Sequence, residues 1–323
     1  MLLSAGCTYN QAIVIRKSHV DLDCNGAIID GENKVNIGIL IKGKSLRDIT
    51  VRNCTIKNFN DAGVMITSGI RLKQHGDRKY YYRVAPKNIT LDKLLVENSS
   101  RVGVNFNAYV ADSVLSNSVV RNSKGVGVYL SQGSSNNKLD SNVIEGNGAS
   151  GKQSSLREGV AVDSSARNLI EDNTFIDNAA GGIFLYKNCG ERFSTGRSVL
   201  RWQSSNENLI KNNKFVGGRI GVWVASRQSR DLSGWDCGDT PVDDDGKYFE
   251  DFANKNSISG NRFCDVDVAV RVEGDHNVVS NNRFNEGVKR FVEEPYRLRE
   301  KPDGRRTVGN YVSGSVKQEC EGI

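Results

Sequence analysis

The sequence predicts an all-β protein that forms a single parallel β-helix, with long loops at one corner that form a cleft. Two short motifs, one led by glycine and one by asparagine, alternate along most of the chain. Where nothing is inserted, the glycine motif returns after 23 or 24 residues, as from Gly159 to Gly182 and from Gly103 to Gly127. A period of this length with several short strands is typical of a β-helix. Because one coil cannot bury its own apolar face, stacked coils would share a continuous core.

The glycine motif predicts one strand in each coil. Its clearest copy is Gly182-Ile183-Phe184-Leu185-Tyr186-Lys187. Successive side chains of a strand point to opposite faces, so the first and third residues after the glycine face the interior. The second and fourth point outward and vary in chemistry, which allows this face to carry a site. Further copies begin at Gly63, Gly103, Gly127, Gly159 and Gly221.

The asparagine motif predicts two more strands in each coil with a bend between them. Asn168 and Asn173 are five residues apart, and each is followed two residues later by an apolar residue. We expect left-handed backbone at these asparagines and amide hydrogen bonds between stacked copies. The predicted domain covers residues 1–323, with a cap coil at 1–35, stacked coils at 36–290 and a C-terminal cap or frayed tail at 291–323.

Composition and charge narrow the class of partner. The chain has 323 residues, 33 glycines, 4 prolines and a formal charge of +6. This excess of basic residues is too diffuse to indicate a nucleic-acid partner. No apolar stretch is long enough for a membrane helix. We expect a monomer that binds an acidic polysaccharide or oligosaccharide, and neither nucleic acid nor a membrane.

The cysteines and the start of the chain bear on localisation. Seven cysteines are present, and we expect pairing of Cys7 with Cys24 and of Cys189 with Cys237 in an oxidising compartment. Cys54 and Cys264 would be half-cystines or buried thiols. The first residues are too short for a complete signal peptide. We therefore expect a secreted or periplasmic protein whose signal peptide is absent from this sequence.

No cysteine or histidine spacing indicates zinc, and we expect no cofactor. A calcium ion is the alternative left open. Asp243-Asp244-Asp245 has the composition of a solvated turn or a weak cation site.

Insertions locate the predicted cleft. The gap from the strand glycine to the next motif asparagine is 25, 26 and 35 residues in three coils, against 8 to 10 elsewhere. Three long loops therefore leave the same corner: loop 1 (residues 68–87), loop 2 (188–206) and loop 3 (227–254). Loops on a rigid scaffold commonly carry function. Between these walls we expect a polar floor, formed by Asn105, Asn107, Tyr129, Ser131 and Asp163.

The residues of this cleft suit β-elimination on a uronate. That reaction needs a group to neutralise the carboxylate, a base for the C5 proton and an acid for the leaving oxygen. Lys187 lies beside two aromatic residues, where desolvation would lower its pKa and make it a base. Tyr129 would be acid or base, with Tyr186 and His75 as alternatives. Asn105, Asn107, Arg78 or Arg83 would neutralise the carboxylate. The remaining substrate-binding candidates are Arg71, Tyr81, Asp163, Glu191, Arg192, Trp223 and Arg227.

Other activities stay open at this stage. Loop 1 interleaves cations with aromatics, which suits a sugar chain bearing carboxylates but also a solvated basic loop. A glycoside hydrolase would need two or three acids close together. Asp163 is on the floor, and the further acids considered are Glu158, Glu191 and Asp77. A C5-epimerase would share the first proton abstraction, and a carbohydrate-binding protein would need no catalytic group.

The two motifs together resemble the repeats of right-handed β-helix proteins that bind or cleave carbohydrates. These include periplasmic copper-processing proteins, mannuronan epimerases and polysaccharide lyases. Three short segments resemble the alginate lyases of polysaccharide lyase family 31: Gly6-Cys7-Thr8-Tyr9, Leu22-Asp23-Cys24-Asn25-Gly26 and Leu185-Tyr186-Lys187-Asn188-Cys189-Gly190-Glu191.

This resemblance implies a right-handed coil and a lyase with a catalytic lysine and tyrosine. These roles fall on Lys187 and Tyr129, with Tyr186 as the alternative tyrosine. The sequence lacks the Asn-Thr-Asp, Gly-His-Gly and Arg-Ile-Lys set of polygalacturonases and the Asp-Pro-His-Asp of mannuronan epimerases. The resemblance therefore favours a polysaccharide lyase acting on an acidic polymer such as alginate.

Overall fold

The computed structural model describes residues 1–149, 156–294 and 307–320. Within them the chain passes repeatedly through three parallel sheets, once per coil. Sheet 1 carries the glycine motif, and sheets 2 and 3 carry the two halves of the asparagine motif. This architecture is the predicted all-β parallel β-helix.

The strands are numbered along the chain. Sheet 1 contains β2 Ile13–Ile15, β5 Ile37–Lys42, β8 Ala62–Thr67, β11 Val102–Phe106, β14 Val126–Leu130, β17 Glu158–Asp163, β20 Gly181–Tyr186, β23 Ile220–Val224, β26 Val268–Val272 and β29 Arg290–Glu293. Sheet 2 contains β3 Val20–Asp23, β6 Arg47–Arg52, β9 Lys87–Asp92, β12 Val114–Ser116, β15 Lys138–Asp140, β18 Leu169–Glu171, β21 Leu209–Lys211, β24 Ser257–Ser259, β27 Val278–Ser280 and β30 Tyr311–Ser313. Sheet 3 contains β1 Thr8–Tyr9, β4 Ile28–Asp30, β7 Thr55–Lys57, β10 Leu95–Glu97, β13 Val119–Arg121, β16 Val143–Glu145, β19 Thr174–Ile176, β22 Lys214–Val216, β25 Arg262–Cys264, β28 Arg283–Phe284 and β31 Val316–Lys317.

Helices occur only in the loops of the described chain. Helix α1 spans Arg78–Val84 in loop 1, and the Asp77 side chain caps it by accepting a hydrogen bond from the backbone N–H of Lys79 (2.9 Å). A single 3-10 turn, Ser233–Trp235, lies in loop 3. No helix in the described ranges has the length and apolar character required to cross a membrane.

The core consists of columns of apolar side chains that run along the coil axis. In sheet 1, Val104, Val128, Val160, Ile183 and Val222 are paired in register from strand to strand, and all are fully buried. Neighbouring strands lie about 4.8 Å apart, so each of these side chains packs directly on its equivalents. The alternation read from the glycine motif therefore gives the interior face correctly.

A phenylalanine column fills the core beneath sheet 3. The rings of Phe175, Phe215 and Phe263 stack with centroid distances of 4.8 Å and with angles between their planes of 8° and 10°. Their spacing matches that of the strands that carry them, so the coil geometry imposes the stack.

Buried asparagine ladders connect the coils, as predicted. Asn168 Nδ2 donates to Asn208 Oδ1 (2.9 Å), and Asn208 Nδ2 donates to Asn256 Oδ1 (3.0 Å). The expected left-handed backbone falls one residue earlier, at Arg167 (φ 56°) and Glu207 (φ 60°) in these two coils. The reason is that the ladder asparagine turns its amide inward, and the preceding residue makes the bend.

Three disulfides lie within the described residues: Cys24–Cys54, Cys189–Cys237 and Cys264–Cys320. The predicted bond between Cys189 and Cys237 is confirmed. The predicted bond between Cys7 and Cys24 is wrong, because Cys54 stands one coil above Cys24 with a Cα–Cα distance of 4.9 Å, and Cys7 is an exposed thiol. Cys264 is likewise bonded rather than a free thiol.

The described part of the tail joins the coil stack. Strands β30 and β31 pair with β27 and β28, and Cys320 is bonded to Cys264. Part of the tail that was expected to cap or fray, residues 295–306 and 321–323, lies outside the described residues, as does most of the irregular loop at 146–156.

Candidate functional site

The three long loops converge over one end of sheet 1, as the insertions predicted. Loops 1 and 2 are joined by the backbone N–H of Leu200, which donates to Gln74 Oε1 (2.9 Å). Loops 2 and 3 are joined by the disulfide Cys189–Cys237. The loops therefore form one continuous wall.

Aromatic packing closes the part of the predicted floor nearest to loop 1. The Tyr109 ring lies 5.3 Å from Tyr81 and 4.9 Å from Tyr82, and Trp202 Nε1 donates to Tyr109 Oη (3.1 Å). Tyr81 is only 7% exposed, and its hydroxyl accepts a hydrogen bond from the backbone of Lys73. Tyr81 is thus a packing residue of the wall, which corrects its predicted role in binding substrate. For the same reason Ser131, expected on the open floor, is buried.

The open part of the cleft is a first cavity of about 500 Å³ over β11, β14 and the start of β17. Tyr129 lies on its floor, between the cations of loop 2 and those that precede the sheet 1 strands. Six cations and one acid make up its charged lining among the described residues: Arg101, Lys124, Arg157, Arg192, Arg197, Arg201 and Glu191. This excess of positive charge suits an anionic ligand.

Tyr129 is held by a buried carboxylate. Its hydroxyl donates to Asp163 Oδ2, and Ser164 Oγ donates to the other carboxylate oxygen of Asp163 (2.8 Å). Burial raises the pKa of Tyr129 well above its ordinary value of 10.0, and the negative charge of Asp163 raises it further. Tyr129 is therefore a neutral phenol at physiological pH. Asp163 is fully buried and can act on a ligand only through Tyr129, which corrects its predicted direct contact with substrate.

A second buried network holds Arg157 at the edge of the first cavity. Arg157 Nη2 lies 3.1 Å from Glu158 Oε1 and donates to Tyr186 Oη (3.2 Å), and Tyr186 Oη donates to Glu158 Oε1 (3.3 Å). Burial opposes ionisation of Glu158, but the charge and hydrogen bond of Arg157, a backbone hydrogen bond and the charge of Arg227 together outweigh burial and lower the pKa of Glu158. Tyr186 is 1% exposed, and burial and the Glu158 charge raise its pKa. Tyr186 thus positions Arg157 and does not line the cavity.

Lys187 does not stand free at the cleft edge, contrary to the sequence-based expectation. Its ammonium forms an ion pair with Asp239 of loop 3, and its side chain is 11% exposed. Its backbone N–H donates to Asp251 Oδ1 (2.5 Å). Strand β20 ends at Tyr186, so Lys187 leaves the sheet and faces loop 3 instead of Tyr129.

The loop 1 candidates also lie outside the first cavity. Arg71 and His75 are exposed on the outer part of loop 1. Arg78 stacks on Trp202 at 4.9 Å, and Arg83 stacks on Tyr80 at 5.5 Å. These cation–aromatic contacts stabilise the wall.

The two predicted asparagines differ in their surroundings. Asn105 is paired in register with Tyr129, and its Oδ1 is buried without a hydrogen-bond partner among the described residues. Asn107 lies two residues further along, half-buried toward loop 1. Neither asparagine is among the described residues that line the first cavity, so a direct contact of either with substrate stays a prediction.

Arg227 and Glu191 link loops 2 and 3. The Arg227 guanidinium lies between the rings of Tyr186 (4.5 Å) and Trp235 (4.4 Å), with Nη1 3.1 Å from Glu191 Oε1. Arg227 is only 4% exposed, so its predicted contact with substrate is replaced by a structural role. Glu191 and Arg192 line the first cavity, and their contact with substrate stays a prediction.

A second cavity of about 420 Å³ lies further along the same face of sheet 1. Trp223 lines this cavity and not the first one, beside Arg230 and Arg271. Leu156 lines the second cavity and the next residue, Arg157, lines the first. The two cavities therefore lie next to each other on this face.

Comparison with known proteins agrees with this architecture. The family model "Right handed beta helix region" matches residues 37–200, half of the chain. The chain belongs to the right-handed β-helix family. A second model, "Periplasmic copper-binding protein (NosD)", matches residues 151–311 of this β-helix. No protein of curated function matches its sequence.

Several solved structures share the β-helix over nearly all of its length. The catalytic unit of an α-1,3-glucanase of family GH87 from Streptomyces thermodiastaticus is 14% identical with a TM-score of 0.63, and the alignment covers 94% of this chain and 49% of that one. An alginate lyase from Paenibacillus sp. is 12% identical with a TM-score of 0.52, covering 98% and 91%. A tailspike protein of Escherichia coli bacteriophage HK620 is 12% identical with a TM-score of 0.56, covering 98% and 59%.

These likenesses establish the fold of the β-helix, and its chemistry must be argued from its own side chains. This β-helix spans about half of the glucanase chain and three fifths of the tailspike chain.

Sequence reasoning missed most of the arginines of the β-helix cleft. Arg101, Arg157 and Arg219 each stand two residues before a strand glycine, at Gly103, Gly159 and Gly221. This repeat position turns the chain into sheet 1 beside the cleft, and the recurrence of arginine there is a signal that could have found them. Arg201 and Arg230 lie in non-repeating loops and carry no such signal.

In two acidic clusters of the described chain, one carboxylate is already held by protein donors. Asp140, Glu171 and Asp172 lie close together, but Lys138 and Lys211 bind Glu171 at 2.7 and 2.8 Å. In loop 3, Asp243 accepts hydrogen bonds from the backbone of Lys247 and Tyr248 and so closes a turn, while the weak cation site, the other expectation for this segment, stays a prediction.

Proposed function

We propose that this β-helix protein is a polysaccharide lyase that cleaves an acidic, uronate-containing polysaccharide such as alginate by β-elimination. The observation that carries the proposal is the setting of Tyr129: a neutral phenol, bonded to a buried carboxylate, on the floor of a cavity lined by six cations. A phenol of this kind can move a proton, and the cations can hold a sugar acid.

The charge of the first cavity favours a uronate over a neutral sugar. Guanidinium groups bind carboxylates with two parallel hydrogen bonds, and five of the six lining cations are arginines. Glu191 is the one acid among the described lining residues, and it is already bound by Asn188 (2.9 Å) and Arg227. A hydrolase would need two acids free to act on the glycosidic bond, so the lining fits elimination better.

The proposed reaction assigns each step to a residue. Arg157 and the loop 2 arginines bind the substrate carboxylate and stabilise the negative charge that develops as the C5–H bond breaks. Tyr129 takes the C5 proton while its own proton passes to Asp163. As the C4–C5 double bond forms and the glycosidic C–O bond breaks, Tyr129 gives a proton to the leaving oxygen and regains one from Asp163. The proton thus ends on the leaving oxygen, and the protein is unchanged.

The same proposal places the protein in the periplasm or outside the cell. Three disulfides are typical of oxidising compartments, and the matched copper-binding family is described as periplasmic. Its proposed partner is therefore a polymer of the cell surface or of the environment.

The test is incubation with alginate, pectate and hyaluronan while ultraviolet absorbance of the unsaturated product is followed. We expect absorbance to rise on at least one polyuronate. Tyr129→Phe should lower kcat by about 100-fold or more, because it removes the group that moves the proton. Tyr311→Phe, which changes an exposed tyrosine at the C-terminal end, is the matched control.

Three other outcomes would contradict the lyase. New reducing ends without unsaturation would indicate a hydrolase. A changed uronate composition without cleavage would indicate a C5-epimerase. Polymer binding with no chemical change on any substrate would indicate a carbohydrate-binding protein.

A further inference from the structure

The second cavity lies at a defined distance from Tyr129. On the outward face of sheet 1, Tyr129 is followed in register by Ala161, Phe184 and Trp223. Trp223 is therefore three strands away, which is about 14 Å at the usual strand spacing of about 4.8 Å. One sugar ring cannot reach from the first cavity to the second, but an oligosaccharide can.

Arg230 is a charged residue of the second cavity whose charge no ion pair of the described residues balances. Its guanidinium lies 4.7 Å from the Trp223 ring and 5.9 Å from the Phe184 ring. Among the described residues it has no carboxylate within ion-pair distance. The other arginine beside Trp223, Arg271, is different, because it is bound to Glu273 (2.5 Å) and Glu293 (3.2 Å).

The surroundings of Arg230 favour an anion from outside the protein. Desolvation lowers the pKa of Arg230, and the neighbouring cation Arg227 lowers it further. Glu158 acts on Arg230 at longer range but is already bound by Arg157 and Tyr186. A partly buried cation without a counter-ion costs stability, and a bound carboxylate would remove that cost.

The other charged residues that line the second cavity do not balance the positive charge of Arg230. Asp267 is bound by Lys289 at 2.6 Å, and Glu293 is shared by Arg271 and Arg290. Arg219 is exposed at the cavity rim and has no ion pair within the described chain. Arg219 and Arg230 are thus the two guanidinium groups left to bind a ligand.

We propose that the second cavity is a separate carboxylate-binding subsite, in which Arg230 and Arg219 bind another uronate residue of the chain that occupies the first cavity. The identity of the ligand as a uronate rests on the proposed function, whereas the anion site rests on Arg230 itself. Tight binding then requires a chain long enough to fill both cavities.

The experiment measures binding directly, so that it does not depend on cleavage. Isothermal titration calorimetry on the Tyr129→Phe protein, with oligouronides of increasing length, should show a step in affinity at the length that spans both cavities. Arg230→Gln, added to Tyr129→Phe, should weaken binding of long oligouronides by about 10-fold or more, because charged hydrogen bonds are lost. Binding of oligouronides too short to leave the first cavity should not change.

Three controls keep the result interpretable. Arg283→Gln removes an exposed arginine from sheet 3, away from the cleft, and should change nothing. Arg230→Lys retains the positive charge and should bind long oligouronides more tightly than Arg230→Gln does. It keeps the test valid if Arg230→Gln folds poorly. Inorganic phosphate and a neutral oligosaccharide separate a general anion site from a saccharide subsite.

Equal affinity of the parent and Arg230→Gln proteins for every length would overturn the subsite. The subsite would also be overturned if phosphate binding required Arg230 while the protein bound no oligouronide. If long oligouronides bind through Arg230 but no polyuronate is cleaved, the subsite stands and the lyase proposal fails.

Discussion

Tyr129 enters the first cavity as a neutral phenol because burial and the Asp163 carboxylate act in the same direction on its pKa. A phenolate base is therefore not available at neutral pH, and proton transfer by Tyr129 requires a second group to receive its own proton. Asp163 accepts the Tyr129 hydrogen bond and is fully buried, so its only path to the substrate runs through the phenol. The two residues form a proton relay.

Asp163→Asn tests the relay. The amide has nearly the same size and keeps an acceptor for the Tyr129 hydroxyl, but it cannot take up the phenol proton. We expect kcat on a cleaved polyuronate to fall by about 100-fold, with unchanged equilibrium binding, since Asp163 does not contact substrate. Asp140→Asn, on sheet 2, is the control. Wild-type kcat in Asp163→Asn would exclude the relay even if Tyr129→Phe were inactive.

For single residues, the sequence predicted correctly that Tyr129 points outward, but it placed Lys187 beside Tyr129, where it does not lie. Alternation along β14 shows that Tyr129 points outward, and the repeat aligns it with β17, which ends at Asp163. Lys187 stands one residue beyond the end of β20, where alternation no longer applies. Its direction is decided by Asp239, 52 residues later in loop 3, and no local pattern reports that contact.

The long loops depend on one buried acid for their position. Asp251 is fully buried and accepts hydrogen bonds from the backbone N–H of Lys187 (2.5 Å) and of Arg227 (2.9 Å). These two residues stand near the starts of loops 2 and 3. The insertion lengths in the sequence predicted that both loops leave the same corner. They could not predict Asp251 as the anchor, because the loops have no repeat to align.

The titration of Asp251 predicts how stability depends on pH. Burial raises its pKa from 3.8 to about 7, although the N–H groups of Lys187 and Arg227 and the charges of these residues oppose this. Because the pKa in the folded state is above that in the unfolded state, the folded protein binds more protons between these values. The free energy of unfolding should therefore fall as pH rises from about 4 to about 7, by up to roughly 4 kcal/mol.

Urea unfolding at several pH values across this window measures how steeply the free energy of unfolding falls with pH. Asp251→Asn is neutral throughout and should flatten the slope, at the cost of one hydrogen bond, about 1 kcal/mol. Asp172→Asn removes an exposed carboxylate and should leave the slope as in the wild-type protein. An unchanged slope in Asp251→Asn would show that another group sets the pH dependence.

Across the whole molecule, each coil repeats the interactions of its neighbours, and this is why the fold could be predicted while most of the site could not. The apolar columns, the phenylalanine stack and the asparagine ladders recur with the period of the sequence. The cleft is formed by the insertions that interrupt this period. Its key arginines Arg201 and Arg230 lie in these insertions, where no repeat position indicates them.

The asparagine ladders predict that loss of a ladder asparagine destabilises the protein more in the middle of the coil stack than at its end. Asn213 is 1% exposed, and its Nδ2 donates to Ile170 O (2.9 Å), Lys211 O (3.1 Å) and Asn261 Oδ1 (3.0 Å), while its Oδ1 accepts from Asn173. Asn213→Ala would leave several of these groups buried without partners, and we expect a loss of about 3 kcal/mol of unfolding free energy. Asn310, at the half-buried end of the other ladder, is the matched control, with an expected loss of about 1 kcal/mol for Asn310→Ala. Equal losses in urea unfolding would mean that the ladders do not couple neighbouring coils as the geometry requires.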